Sequence, residues 1–432
     1  MTRRLVLAVG VVLLSGGLIA LSLPVFLNAY DRWGIQITCG TGYKSDLFQA
    51  QVADNGYSAQ CISALAARRA WSVPAAGVGT VIIAAELALI ALTGLTRVNH
   101  RSRLHGATKA SLRSELVAAV AYLACRPWAG FIPANRFGVA LTRFNLRVIC
   151  SLSRPVRGCR VEAVCEPIRG EWVRAPDTDD GAGVVLLLHG SGYIGCSPKT
   201  HRGFASYISR YSRLPVFAPR YRLAPEHPFP AADDDAFAAY RWLLDQGYDA
   251  AEIALVGDSA GGHLAIALTV RAHAENLPAP AALALFGPLI DPSFKTAMAD
   301  ARTQYSPIDP DVGRRFLALY VGSHDIDDPR LSLLHGPVTE LPPIQLHYGT
   351  LEVMRAEAEL FAARVNRAGG SCQQFVWPNL VHGYWLLPRL VPESMESLRI
   401  AGQFVHDAVR SSKNSATDRS PDPVEPVEPG LL

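Results

Sequence analysis

Charge is scarce in this chain. Only 18% of its 432 residues are Asp, Glu, Lys or Arg, and the formal net charge is +3. No basic stripe interleaved with aromatics occurs, so the electrostatic footprint of a nucleic-acid partner is missing. No H-E-x-x-H stands anywhere, which removes the usual ligands of a zinc hydrolase. No Ser lies three residues before a Lys, so the S-x-x-K serine–lysine mechanism is excluded. None of the eight cysteines is spaced C-x-x-C, and the six beyond residue 100 read as small buried side chains. Neither a metal nor a cofactor is expected.

Apolar residues, in contrast, are plentiful. They make up 49% of the chain and the mean hydropathy is +0.15, with the excess at the N-terminus. Leu5 to Leu27 holds no charged residue and follows Arg3 and Arg4. That length suffices to cross a bilayer. A cleaved signal peptide is the rival; Ala20 and Ser22 offer small residues, but the apolar run continues past them. Ser72 to Thr96 is a second apolar run, interrupted by Glu86. A glutamate at mid-bilayer is costly, so it needs a helix partner, or the run is an apolar helix packed on the rest of the protein. The expectation is a membrane region over 1–98, with transmembrane helices near 5–27 and 72–96 and a loop over 28–71. Arg97, Arg101, Arg103, Lys109 and Arg113 follow, and the positive-inside rule puts them, with Arg3 and Arg4, on the cytoplasmic face. Arg68 and Arg69 argue the other way. Cys39 and Cys61 lie in the intervening loop and are able to pair in an oxidising compartment.

Beyond residue 99 the pattern changes to apolar runs alternating with helical periods, which predicts a mainly parallel sheet of an α/β domain over 99–410. Ile253 to Thr269, IALVGDSAGGHLAIALT, reads as strand, sharp turn and helix, with G-x-S-x-G at the turn. A nucleophile elbow needs glycines two residues either side of the serine, where side chains would collide. The helix N-terminus that follows favours a developing anion. Upstream, strand Val184 to Leu188 ends in His189-Gly190-Ser191-Gly192, a place for backbone N–H donors. Downstream, strand Ile344 to Tyr348 is followed by Glu352, and strand Gln373 to Trp377 by His382. The order is Ser, acid, His, which belongs to α/β-hydrolases.

Three stretches then carry a resemblance: His189 to Gly192, the run Tyr221-Arg222-Leu223-Ala224-Pro225-Glu226 with His227-Pro228-Phe229-Pro230-Ala231, and Gly257-Asp258-Ser259-Ala260-Gly261-Gly262. With these the chain resembles the hormone-sensitive-lipase-like family of α/β-hydrolase carboxylesterases and lipases over about residues 115 to 410. The resemblance implies Ser259 as nucleophile, His382 as general base and Glu352 as the acid that orients it. It implies an oxyanion hole from the N–H groups of Ser191, Gly192 and Ala260. Two departures stand out: Ser191 replaces a glycine, and Glu352 stands where an aspartate is usual. Asp291 is the rival acid. Tyr193 either touches substrate or packs beside the oxyanion loop.

The same resemblance puts a helical cap over 115–160 and 293–329, with Trp128, Phe131, Phe137 and Phe144 as pocket or core aromatics. Asp258 is expected to bond local backbone, as turn aspartates do, and Asp233 to Asp235 to serve a helix start. His263, His201 and His227 receive no role. The tail 411–432, rich in Ser, Pro and acid, is expected to be disordered. The implied activity is a serine carboxylester hydrolase acting on a short-to-medium acyl or acetyl ester of a lipophilic alcohol, held at the membrane with the hydrolase on the cytoplasmic face. The alternatives are a non-catalytic ligand-binding relative and a serine amidase or peptidase on the same fold.

Overall fold

The computed structural model describes residues 3–53, 56–94, 110–130 and 132–417; side chains 3–7, 84–94, 127–128 and 412–417 are outside the description. The chain divides into two compact units, residues 1–100 and 101–432.

In the first unit, helix α1 (Arg3–Ser22) gives way to strand β1 (Pro24–Tyr30), which pairs antiparallel with β2 (Gln36–Thr41). Helices α2 (Phe48–Val52) and α3 (Tyr57–Gly94) follow. The expected helix over 5–27 is therefore corrected: it stops at Ser22. Leu23 precedes Pro24, and a residue before proline is pushed out of the helical region. The expected loop 28–71 is corrected too. It holds most of a small sheet, α2 and the start of α3, closed by a disulfide between Cys39 and Cys61 over a core of Val25, Ile37, Ala50 and Leu65. Arg68 and Arg69, which complicated the topology, are inside this unit: they donate to Ala20 O at 2.9 Å and Gly42 O at 2.8 Å. Of the second expected span, residues 72–94 form the latter part of α3, residues 95–96 lie outside the described residues, and the side chains from 84 are outside the description. Among the described residues no helix is long and apolar enough to cross a membrane. Helices α1 and α3 cross closely at glycines. A Cβ on Gly17 would sit 2.6 Å from Ser72 O, and one on Gly79 would sit 2.4 Å from Leu14 N.

The second unit opens with helices α4 (Leu112–Ala129) and α5 (Arg136–Ser151). Strands β3 (Arg160–Val164) and β4 (Gly170–Arg174) come next, then β5 (Val184–Leu188), helix α6 (Pro198–Ser212) and β6 (Val216–Pro219). Helix α7 (Ala231–Asp245), β7 (Ile253–Asp258), α8 (Ala260–Ala274) and β8 (Ala282–Phe286) form the middle. Short α9 (Lys295–Ala299) and α10 (Pro310–Val321) interrupt the rhythm where the second cap part was expected. Strand β9 (Ile344–Gly349), α11 (Arg355–Arg367), β10 (Cys372–Trp377) and α12 (Pro392–Thr417) close the unit. The sheet order is β10-β9-β8-β7-β5-β6-β4-β3. Pairs from β10 through to β6 are parallel, and β6–β4 and β4–β3 are antiparallel, so the mainly parallel expectation holds. Every residue of β5, β7 and β8 is buried, which explains why these strands read as unbroken apolar runs rather than alternating ones. The tail expectation needs one correction: α12 continues past 411 to Thr417, and 418–432 lie outside the described residues.

Candidate active site

The site forms where central strands end. Strand β7 hands over to α8 at Ser259, whose φ of 52° and ψ of −121° lie outside the ordinary regions for a side-chain-bearing residue. The turn is held by Ser259 N–H donating to Phe286 O at 2.9 Å and Leu289 N–H donating to Ser259 O at 3.0 Å. It is so tight that a Cβ on Gly257 would lie 2.4 Å from Gly261 O, and one on Gly261 would lie 1.9 Å from Leu188 O. Both glycines of the G-x-S-x-G are thus set by contact distance. Ser259 keeps 9% of its surface exposed, at the N-terminus of α8, where the helix dipole is positive.

The loop after β5 lies against this turn. A Cβ on Gly190 would meet Asp258 Oδ2 at 2.5 Å and Ser259 Cβ at 2.9 Å. Ser191, Gly192 and Tyr193 all have positive φ, at 124°, 58° and 63°. The serine that replaces a glycine therefore still takes the glycine conformation. Its side chain contributes by bonding back to Gly195: the hydroxyl donates to Gly195 O and accepts from Gly195 N–H. Among the described residues, the N–H groups of Ser191, Gly192 and Ala260 donate to no other protein group. This leaves them available to an incoming oxygen.

Behind the turn sits a buried polar network that the sequence did not disclose. Asp258 was expected to bond local backbone. Instead its carboxylate accepts from Gly190 N–H at 2.8 Å and from Trp385 Nε1–H at 3.1 Å, with His201 Nε2 at 3.4 Å. Burial would raise its pKa, but these partners outweigh it and hold the carboxyl below its ordinary value. Asp258 thereby ties the oxyanion loop, the turn and the segment after His382 together. The Y-R-L-A-P-E run braces the same loop. Tyr221 stacks on His189 at 4.2 Å between ring centroids and donates to His189 O. Ala224 N–H donates to Tyr193 O at 2.9 Å. Glu226 receives Arg143 of α5 through two hydrogen bonds, 2.9 and 2.6 Å.

His382 and Glu352 meet. Nδ1 of the ring lies 2.8 Å from Glu352 Oε1. Burial depresses the imidazole, the carboxylate more than restores it, and the net pKa is raised above 6.5. The link to Ser259 runs through Phe286-Gly287 at the end of β8. Phe286 O holds Ser259 N–H, and a Cβ on Gly287 would lie 3.1 Å from His382 Nδ1 and 2.7 Å from Glu352 Oε2. The Trp385 and His382 rings stand perpendicular, with centroids 5.1 Å apart. Asp291, the rival acid, is spent on a turn, accepting Ser293 N–H at 2.9 Å and its hydroxyl at 2.6 Å.

Other candidates are placed elsewhere. Tyr193 is 1% exposed and stacks on Tyr320 at 3.6 Å, so the substrate contact expected of it is corrected to packing. His263 Nε2–H donates to Leu331 O at 2.8 Å, and burial holds the ring neutral, its pKa lowered to about 4. Phe137 and Phe144 face solvent; the Trp128 side chain and Phe131 lie outside the described residues.

Comparison with known proteins identifies the family of the fold. Residues 185–386 match the family described as an alpha/beta hydrolase fold. The carboxylesterase/phospholipase LipF of Mycobacterium tuberculosis (strain ATCC 25618 / H37Rv) is 34% identical over 282 residues, 63% of this chain and 75% of LipF. The chain belongs to the hormone-sensitive-lipase-like family of α/β-hydrolases. It is a carboxylic-ester hydrolase by that membership. An acetyl-hydrolase of Streptomyces hygroscopicus is 35% identical over 240 residues, 55% of this chain and 79% of that relative. Among solved structures, an esterase from the bacterial hormone-sensitive lipase family superposes with a TM-score of 0.64 at 29% identity, over 70% of this chain and 100% of that one. The family relationship concerns the second unit; the elbow serine, the loop after β5 and the late histidine all fall within residues 185–386.

Proposed function

We propose that this hydrolase cleaves short-to-medium acyl or acetyl esters of a lipophilic alcohol through a Ser259–His382–Glu352 triad. One observation carries the reading: the 2.8 Å contact of His382 Nδ1 with Glu352, on the same strand ends as the strained Ser259 turn. With Nδ1–H directed at the carboxylate, Nε2 is left unprotonated to act as the base. It removes the Ser259 proton as Oγ attacks the ester carbonyl. The N–H groups of Ser191, Gly192 and Ala260 receive the oxyanion, and removing one such donor typically costs about a hundredfold to a thousandfold in rate. The alcohol leaves with the proton from His382. Water, deprotonated by the same ring, then releases the acid.

Location is part of the proposal: membrane attachment through the first unit, with the hydrolase unit on the cytoplasmic face. Its support is the glycine-mediated close packing of α1 and α3, of the kind helices use in lipid, and the cationic run from Arg97 to Arg113. The disulfide between Cys39 and Cys61 fits an oxidising side for the intervening segment.

Ser259→Ala should abolish turnover of p-nitrophenyl esters and labelling by a fluorophosphonate probe while the protein remains folded. Retained turnover would refute the nucleophile. Assay across acyl chain lengths, in membranes carrying the wild type or Ser259→Ala, defines the ester preferred.

A further inference from the structure

Helix α5 is apolar on two opposite faces. Val139, Leu146 and Cys150 turn inward, and a Cβ on Gly195 would touch Leu146 at 3.3 Å. The opposite face is bare: Phe137 is 70% exposed and Phe144 61%, with Leu141, Val148 and Leu152 continuing the stripe. At 3.6 residues per turn, positions 137, 141, 144 and 148 fall within about 60° of one another. A helix of a water-facing cap is expected to be polar there.

The charge carried by the helix itself is of one sign. Between Glu115 and Glu162 the chain has seven arginines and no Asp or Glu. A groove of about 690 Å³ runs along the helix flank, lined by Arg136, Val139, Arg143, Arg147, Glu226 and Leu319. Arg143 is neutralised by Glu226, at 2.6 Å. Arg136 and Arg147 are exposed and make no ion pair among the described residues. They border the apolar stripe along one side, and Arg154 and Arg157 follow the helix end.

We propose that this face of α5 docks on an anionic lipid surface, with Phe137, Phe144 and their neighbours in the acyl boundary and Arg136 and Arg147 on headgroup phosphates. An apolar stripe bordered by arginines is the pattern of an interfacial helix. A second copy fits worse: a two-fold contact on this face would set the two arginine rows against each other. The inner side of the same helix holds the oxyanion loop, where Arg143 Nε–H donates to Ile194 O at 2.6 Å. Docking therefore brings the lipid to within about one helix diameter of the site. The inference deepens the lipophilic-ester reading and rests on it for the substrate that lipid would deliver.

The test uses the full chain, phosphatidylcholine vesicles with and without phosphatidylglycerol, and the pairs Phe137→Ser/Phe144→Ser and Arg136→Gln/Arg147→Gln. Every protein retains the first unit, so only differences from wild type count. The arginine pair should lose the preference for phosphatidylglycerol by roughly tenfold or more in vesicle affinity. The phenylalanine pair should lose a comparable amount on both vesicle types. Both pairs should hydrolyse soluble p-nitrophenyl butyrate at the wild-type rate, yet turn over an acetyl ester of a long-chain alcohol dissolved in the vesicles more slowly. Vesicle binding equal to wild type in both pairs overturns the proposal. So does a dimer of the wild type that the phenylalanine pair dissociates, which assigns the face to a second copy. Failure of the wild type on soluble ester refutes the hydrolytic mechanism instead and leaves the vesicle result to stand on its own.

Discussion

At the scale of single residues, His382 decides how the enzyme responds to pH. Its pKa is the outcome of a contest: burial disfavours the imidazolium, and Glu352 at 2.8 Å favours it and wins. The raised value has two consequences of opposite sign. For stability, the pair contributes fully below the unfolded value near 6.5 and loses that contribution as pH rises through the folded value. For catalysis, the proposed mechanism uses the neutral ring as base, so activity should rise through the folded value. The acidic limb of kcat/KM should accordingly lie above 6.5. Glu352→Gln removes the winning partner and leaves burial, so the limb should move to lower pH while the maximal rate falls. A limb that stays in place would show that Glu352 does not act on His382. Glu352→Ala should reduce turnover far more than Asp291→Ala, because Asp291 is engaged with Ser293. The reverse ranking would assign the acid to Asp291.

At the scale of elements, the loop after β5, the proposed source of oxyanion donors, is held from two sides. Asp258 holds Gly190 from the turn, and Arg143 of α5 reaches Ile194 O and Ala224 O while pairing with Glu226. Arg143→Met keeps the apolar stem and removes all three contacts. It should destabilise the protein by about 2 kcal/mol, the usual range for charge-assisted bonds, and lower kcat on soluble esters more than it raises KM. Thermal unfolding with steady-state kinetics checks both, and an unchanged kcat would show that the loop keeps its shape without α5. This level was legible only in part. The strand ends carrying Ser259, Glu352 and His382 stood out because buried strands read as apolar runs and their turns as glycine signals. The partners of Asp258 did not, since Gly190 and Trp385 lie 68 and 127 residues away along the chain. Tyr193 misled for a related reason: adjacency to the loop in sequence said nothing of the Tyr320 ring that takes it into the core.

For the whole molecule, the distribution of cysteines separates the two units. Cys39 and Cys61 are bonded, while Cys125, Cys150, Cys159, Cys165, Cys196 and Cys372 are free thiols. If the first unit faces an oxidising compartment and the second the cytoplasm, denaturation without reductant should let an alkylating reagent modify the six and spare the pair. Reduction should then expose Cys39 and Cys61, with the chain recovered in the membrane fraction throughout. Mass spectrometry of the peptides reads this directly. Alkylation of Cys39 and Cys61 before reduction, or recovery in the soluble fraction, would count against the membrane assignment.

The sequence alone determined the fold class and the family, because apolar strand runs, the G-x-S-x-G turn and the Y-R-L-A-P-E run are local patterns. Tertiary structure decided what local patterns cannot encode. It built a disulfide-closed unit from an expected loop. It gave Asp258 a bracing role and joined His382 to Glu352 rather than to Asp291. It also turned the Phe137 and Phe144 side of α5 outward. Each of these depends on which distant surfaces meet, and that is fixed by packing rather than by the spacing of residues along the chain.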